Sequence, residues 1–314
     1  MLLSPILDSR AEVIHQPIPS FRASAIHSLQ PLMARGYEIH AITAPHQPPG
    51  VTEAAIHWHA VDLLDPPQMQ RIMSAIRPSH LLHFAWYVEP GRFWHSVENL
   101  RWVEATLALV RAFAAVGGQR MVLAGTCAEY DWSQDTVCRE AQTPLRPATL
   151  YGVCKHALQQ IAAAFAANAG ISFAWGRIFW PYGPGEHPSR LVASVVRSLL
   201  QGERAPCTHG RQVRDYMYTP DIADAFVALL DSAVTDPVNI ATGVPVSIKE
   251  IVYTIADQLG RPDLIQLGVR ESPESEPMRL TADVTRLRHE VNWRPRFDLS
   301  TGIAQTITWW RNQQ

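Results

Sequence analysis

The chain has 314 residues, 47% of them hydrophobic and 18% charged, with a formal net charge of −2. That is the composition of a globular protein with a sizeable core, and the near balance of charge gives no electrostatic reason to bind nucleic acid or an anionic membrane. No stretch approaches the ~20 apolar residues of a membrane span.

The start, MLLSPILDSR, has no basic segment and only a broken apolar run, so it makes a poor signal peptide and a cytoplasmic protein is expected. The four cysteines, Cys127, Cys138, Cys154 and Cys207, fit no zinc spacing and read as reduced thiols. In chain order, short apolar or alternating runs read as strands: AEVIH (11–15), EIHAIT (38–43), HWHAVDL (57–63), HLLHFAW (80–86), RMVLAGT (120–126) and ISFAWGRIF (171–179). Between most of them lie stretches of helical period, including HSLQPLMARG, PPQMQRIMSAIRP, ENLRWVEATLALVRAFAAVGG and TLYGVCKHALQQIAAAFAANAG. Gly36, Gly117 and Gly170 fall where those helices should end. Strand then helix, repeated, predicts a doubly wound parallel sheet of the α/β class. After residue 180 the rhythm breaks. Helices are expected over 221–232 and 246–260, with a strand over 237–242 between them. The expected division is a nucleotide-binding domain of 1–178 with 215–242 returning to it. A smaller substrate-binding domain then takes 179–214 and 243–314.

Lys155, one of two lysines in the chain, stands four residues after Tyr151 on the start of a predicted helix. Residues i and i+4 share a helix face. An ammonium beside a phenol stabilises phenolate and brings a group that titrates near pH 10 toward working range. Thr126 ends an apolar strand, and open α/β sheets bind ligands beyond the carboxyl ends of their strands. Its hydroxyl can therefore meet the same substrate oxygen as Tyr151.

These motifs resemble the extended short-chain dehydrogenase/reductase family, particularly its nucleotide-sugar epimerases, dehydratases and reductases, from about residue 25 to the end. AGTCAEY is similar to the strand carrying the family's catalytic Ser/Thr, and YGVCK to its Tyr-x-x-x-Lys. GRIFWPYGP (176–184), RQVRDYMYTPDIADAF, VNIATGVPVSIKEI and RLRHEVNWRPRFDLSTGI resemble its later motifs. The resemblance implies a Rossmann-type fold, NAD or NADP as cofactor and a nucleoside-diphosphate sugar as substrate. It further implies a homodimer formed by two helices, among whose residues Trp102, Leu109 and Phe113 recur at helical spacing. Thr126, Tyr151 and Lys155 would be catalytic. Asp62 and Leu63 would lie at the adenine, Ala85 beneath the nicotinamide, and Lys155 on its ribose. Arg214, and more weakly Arg270, would pair with the substrate diphosphate, and His187 resembles a histidine of the substrate loop.

The sequence departs from the family at its phosphate loop. Pro19, Arg22 and Ala25 stand where three glycines let the backbone approach a pyrophosphate, and the second strand ends at Thr43-Ala44 without the acid that holds a ribose. Either dinucleotide binding there is weak or altered, or the segment before residue 25 is not the natural one. Cys127 and Ala128 replace the Asp-Glu of the 4,6-dehydratases, which sets dehydration aside. Cys127 is one place off the cysteine of the 3,5-epimerase/reductases. What remains is 4-keto reduction or 4-epimerisation by hydride transfer; the alternative is a non-redox member that binds a sugar nucleotide or partner. HWH (57–59) alternates like a pair of metal ligands, but it reads as a strand with no carboxylate or cysteine partner nearby, and no metal is expected.

Overall fold

The computed structural model describes residues 10–16, 19–45, 55–133, 136–272 and 276–313, with residues 10–22 and 136 given by their backbone alone. The first half alternates strand and helix: β1 (Arg10–Gln16), α1 (Pro19–Ala34), β2 (Tyr37–Thr43), β3 (Ile56–Ala60), α2 (Pro66–Ile76), β4 (His80–His83), α3 (Glu98–Ala115) and β5 (Arg120–Thr126). Next come β6 (Thr136–Cys138), α4 (Leu150–Ala169), β7 (Ser172–Ile178), β8 (Trp180–Tyr182), α5 (Leu191–Leu200), β9 (Ala205–Pro206), β10 (Val213–Arg214) and β11 (Tyr216–Tyr218). The last stretch holds α6 (Thr219–Asp231), β12 (Asp236–Ile240), β13 (Val246–Ser247), α7 (Ile248–Leu259), β14 (Ile265–Gln266), β15 (Arg279–Ala282), α8 (Thr285–His289) and α9 (Leu299–Arg311).

Seven strands form one sheet in the order β12-β7-β5-β4-β1-β2-β3, and every neighbouring pair is parallel. All seven are runs read from the sequence. β5 is buried along its whole length, as a strand covered by helices on both faces must be. The winding reverses at β1, between β2 and β4, and that reversal opens a crevice at the carboxyl edge of the sheet.

α4 is fixed at both ends by its own sequence. The Thr149 hydroxyl accepts the Gly152 N–H at 3.2 Å, and Gly170 closes the helix in the left-handed conformation at φ 66°. Gly152 also permits a close approach, since a Cβ there would come within 2.4 Å of the Ala128 carbonyl oxygen. That contact seats the start of α4 directly on the turn after β5.

Two apolar clusters form. The larger surrounds the seven-stranded sheet and takes in Leu280, Ala282, Val284, Leu287, Val291 and Trp293 from the C-terminal part. The smaller gathers α5, α7 and α9 around Val196, Ile251, Val252 and Ile303. Trp102, Leu109 and Phe113 of α3 lie inside the larger core, so their helical spacing reflects packing within the chain. The exposed apolar residues of α3 and α4 are others: Leu100, Val153 and Ile161, with Val97 just before α3. No helix among the described residues is long and apolar enough to cross a membrane.

Candidate functional site

β5 delivers Thr126 to the carboxyl edge of the sheet, where a short turn, Cys127–Glu129, is locked from both sides. The Thr126 hydroxyl accepts the Ala128 N–H at 3.2 Å, and the Glu129 carboxylate accepts the Thr126 N–H at 2.8 Å. Glu129 is fully buried and also accepts from Trp175 Nε1 at 2.9 Å and from Arg177 Nε at 2.8 Å. Such a carboxylate is a structural anchor, turned away from the crevice. On this rigid base, the first turn of α4 brings the Tyr151 phenol beside Thr126, and both line one cavity. Phe93 and Trp94 pack edge-on against the Tyr151 ring, with centroids 4.9 and 5.7 Å away, and Tyr151 N–H donates to the Trp94 carbonyl at 3.0 Å.

Thr126 and Tyr151 open into a cavity of about 360 Å³, within the range of small-ligand sites. Its lining also includes Arg214, Arg270, Tyr216 and Glu276, together with Glu186 and Arg190. Arg214 is buried; it stacks on Trp180 with its guanidinium carbon 5.0 Å from the ring centroid, and its Nη2 donates to Glu276 Oε1 at 2.8 Å. Arg270 is exposed at the rim. The sequence reading places both arginines on the substrate diphosphate, and both line this cavity. His187 does not line the cavity. Its Nδ1 turns to Ser189 Oγ at 2.7 Å, and the neighbouring Glu186 points inward in its place. Burial pushes the Glu186 carboxyl up to about 8, against the pull of Arg190. Nothing in YGPGEHPSR marks that glutamate, because the shift comes from the cavity wall folding over it. Burial also raises the Cys127 thiol far above its ordinary value, which leaves it a poor base.

Lys155 departs from the sequence reading in its contacts. Its Nζ donates to the Ala124 carbonyl at 2.8 Å and lies 3.9 Å from the centroid of the Trp86 indole, and burial brings its pKa down to about 7. The Tyr151 phenol is held above its ordinary value chiefly by burial; the groups that oppose this are the Thr126 hydroxyl and the Arg190 charge. Lys155 was expected to do that work, and here its ammonium is engaged elsewhere. Trp86 follows β4 and is pinned by its Nε1 donating to Asn99 Oδ1 at 2.8 Å; Asn99 in turn donates to the carbonyls of Phe93 and Ser96.

The dinucleotide side of the crevice can be tested against these contacts. Asp62 is exposed beyond the end of β3, its Oδ1 accepting the Leu64 N–H at 2.9 Å, with Leu63 buried beside it. Ala85 and Lys155 are both covered, and Trp86 fills the space over the ammonium. Of these residues only Asp62 is exposed; Leu63, Ala85, Trp86 and Lys155 are all buried. Ala25 is fully buried in α1, while the side chains of Pro19 and Arg22 lie outside the described residues.

One expectation about the strand HWH needs correction. A carboxylate partner comes from the adjacent strand, where Glu38 Oε1 lies 3.7 Å from His57 Nε2.

Comparison with known proteins agrees with this geometry. The model of the NAD dependent epimerase/dehydratase family matches residues 26–241. UDP-glucose 4-epimerase of Rhizobium meliloti is 26% identical over 289 residues, covering 82% of this chain and 85% of its own. Among solved structures, MoeE5 in complex with UDP-glucuronic acid and NAD superposes with a TM-score of 0.81 at 26% identity, over 97% of this chain and 100% of that one. UDP-N-acetylglucosamine 4-epimerase from Methanobrevibacter ruminantium M1, in complex with UDP-N-acetylmuramic acid, gives 0.86 at 18% identity over 98% and 99%. With most of its length matched by the family model, and with the fold and the carboxyl-edge crevice in place, the chain belongs to the NAD-dependent epimerase/dehydratase family, in the extended short-chain dehydrogenase/reductase group that acts on nucleotide sugars.

Proposed function

We propose that the protein acts on C4 of a nucleoside-diphosphate hexose, by 4-epimerisation or 4-keto reduction, with Thr126 and Tyr151 handling the proton. The observation that carries this reading is that Thr126 and Tyr151 line one cavity together with Arg214 and Arg270. Arginine forks suit a diphosphate, so the sugar nucleotide would lie with its phosphates at Arg214 and its hexose over Tyr151. Substrate binding then belongs to residues 179–214 and 243–314, and dinucleotide binding to 1–178 with 215–242. A buried phenol held above its ordinary pKa stays neutral, the state needed to protonate a 4-keto oxygen, and Thr126 holds that oxygen in line. Asp62, Leu63, Ala85 and Lys155 would hold NAD or NADP, which supplies the hydride exchanged with C4. Cys127 and Ala128 offer neither the acid nor the base of a dehydratase, which favours C4 chemistry over water elimination.

A second reading, binding of a sugar nucleotide without redox turnover, draws on one observation: Lys155 is capped by Trp86 and bonded to Ala124. Nuclear magnetic resonance of UDP- and dTDP-hexoses incubated with protein and NAD distinguishes the two. Inversion at C4, or NAD(P)H-dependent reduction of a 4-keto sugar, supports the first. Saturable nucleotide-sugar binding with neither reaction supports the second.

A further inference from the structure

Far from the cavity, at the outer edge of the sheet, β2 and β3 bring four polar side chains together. The parallel register sets His40 opposite His57 and Ile42 opposite His59. Alternation along the strands puts Glu38 and His40 on one face with His57 and His59. Glu38 Oε1 lies 3.3 Å from His40 Nε2 and 3.7 Å from His57 Nε2, and one donor atom from each of the three residues falls within 4.8 Å of the other two. Tetrahedral donors about 2.1 Å from a common ion stand about 3.4 Å apart, so small side-chain adjustments would bring these three onto one ion.

We infer that Glu38, His40 and His57 form a binding site for a divalent transition-metal ion of the zinc class. His59 completes the arrangement from behind. Its Nε2 lies 3.0 Å from His40 Nδ1, the ring nitrogen not facing Glu38, so it fixes the orientation of His40 as outer partners of metal-bound histidines do. The His40 ring is stacked between those of His57 and His59, with centroids 4.8 and 5.2 Å away, which holds all three rings in one column. Two imidazoles and one carboxylate favour zinc, nickel or cobalt over calcium or magnesium, which prefer oxygen donors. His57 has half its side-chain surface exposed, so an ion can enter from solvent and water can complete its shell. Three protein ligands with an open position would clamp the last strand, β3, to β2, in the half of the sheet that carries Asp62.

The test uses the tag-free full chain, stripped with EDTA and dialysed. Calorimetric titration with Zn²⁺ should show one saturable site per chain, and Co²⁺ should give the visible absorption of a low-symmetry nitrogen and oxygen site. Glu38→Gln and His57→Ala should each weaken Zn²⁺ binding more than about 10-fold, and His59→Ala about 10-fold, as for loss of an outer partner. Zinc should raise the thermal midpoint of the wild type and leave that of Glu38→Gln unmoved, and the Gln variant keeps the shape of the side chain so that folding is preserved. Absence of saturable binding, or binding unchanged in both Glu38→Gln and His57→Ala, overturns the assignment.

Discussion

Glu186 shows how far a single side chain can depart from its sequence. A carboxyl raised from 4.5 to about 8 keeps its proton in the folded chain through a window where the unfolded chain has released it. Its contribution to stability is therefore fully present below about pH 4.5 and is lost as pH rises through about 8. Lys155, lowered from 10.5 to about 7, acts in the opposite sense: its contribution is present at high pH and lost as pH falls through that range. Glu186→Gln cannot ionise, so thermal midpoints of the variant should gain on the wild type between pH 5 and 9, with the Lys155 effect common to both. Parallel curves would contradict the assignment. Arg214 faces a different task, because Glu276 already accepts one of its donors. Arg214→Ala should weaken UDP binding by about 1.5–3 kcal/mol, the worth of a charge-assisted contact, measured by calorimetry. The positions of Thr126 and Tyr151 were legible because each rests on a local rule, a strand end and a helix turn. Glu186 was hidden, since His187 beside it carries the more suggestive chemistry and only the folded loop decides which of them faces inward.

Among the elements, the segment after β4 sets what covers Lys155. Trp86 is held by Asn99 and covers the Lys155 ammonium, a contact between residues that are 69 positions apart in the chain. Trp86→Ala should tighten NADH binding at least about 10-fold by fluorescence titration, while losing on the order of 3–5 kcal/mol of stability as a large buried ring is removed. Unchanged NADH affinity in a folded variant would show that the indole is not the obstacle. The seven strands of the main sheet were legible because apolar runs alternated with amphipathic helices at regular spacing, and the central β4, β5 and β7 are buried enough to need such a run. The packing of 280–293 into the larger core was not, since those short elements carry no period and owe their position to β12 and the sheet. The approach of α4 to the turn after β5 rests on Gly152, whose role becomes clear only when Ala128 is seen against it.

At the scale of the whole molecule, α3 and α4 carry exposed Leu100, Val153 and Ile161 on a face the single chain does not cover. We expect this face to pair two copies, as an isologous contact of two helices from each. Leu100→Glu with Ile161→Glu should convert a dimer to a monomer in sedimentation, with the fold retained because both side chains are about half exposed. A wild-type monomer at micromolar concentration would remove the proposal. Of the two helices, α4 reaches the cavity through Tyr151, so pairing would also stiffen the base of the site. The central claim is that the Thr126–Tyr151 pair moves the proton at C4 of a nucleotide-linked hexose. It is tested most directly by nuclear magnetic resonance of C4 conversion in the wild type and in Tyr151→Phe, with cofactor in excess. The account predicts turnover in the wild type and a fall of about 10²–10⁴-fold in the variant, with nucleotide-sugar affinity and fold preserved. Equal turnover in the two proteins would contradict it.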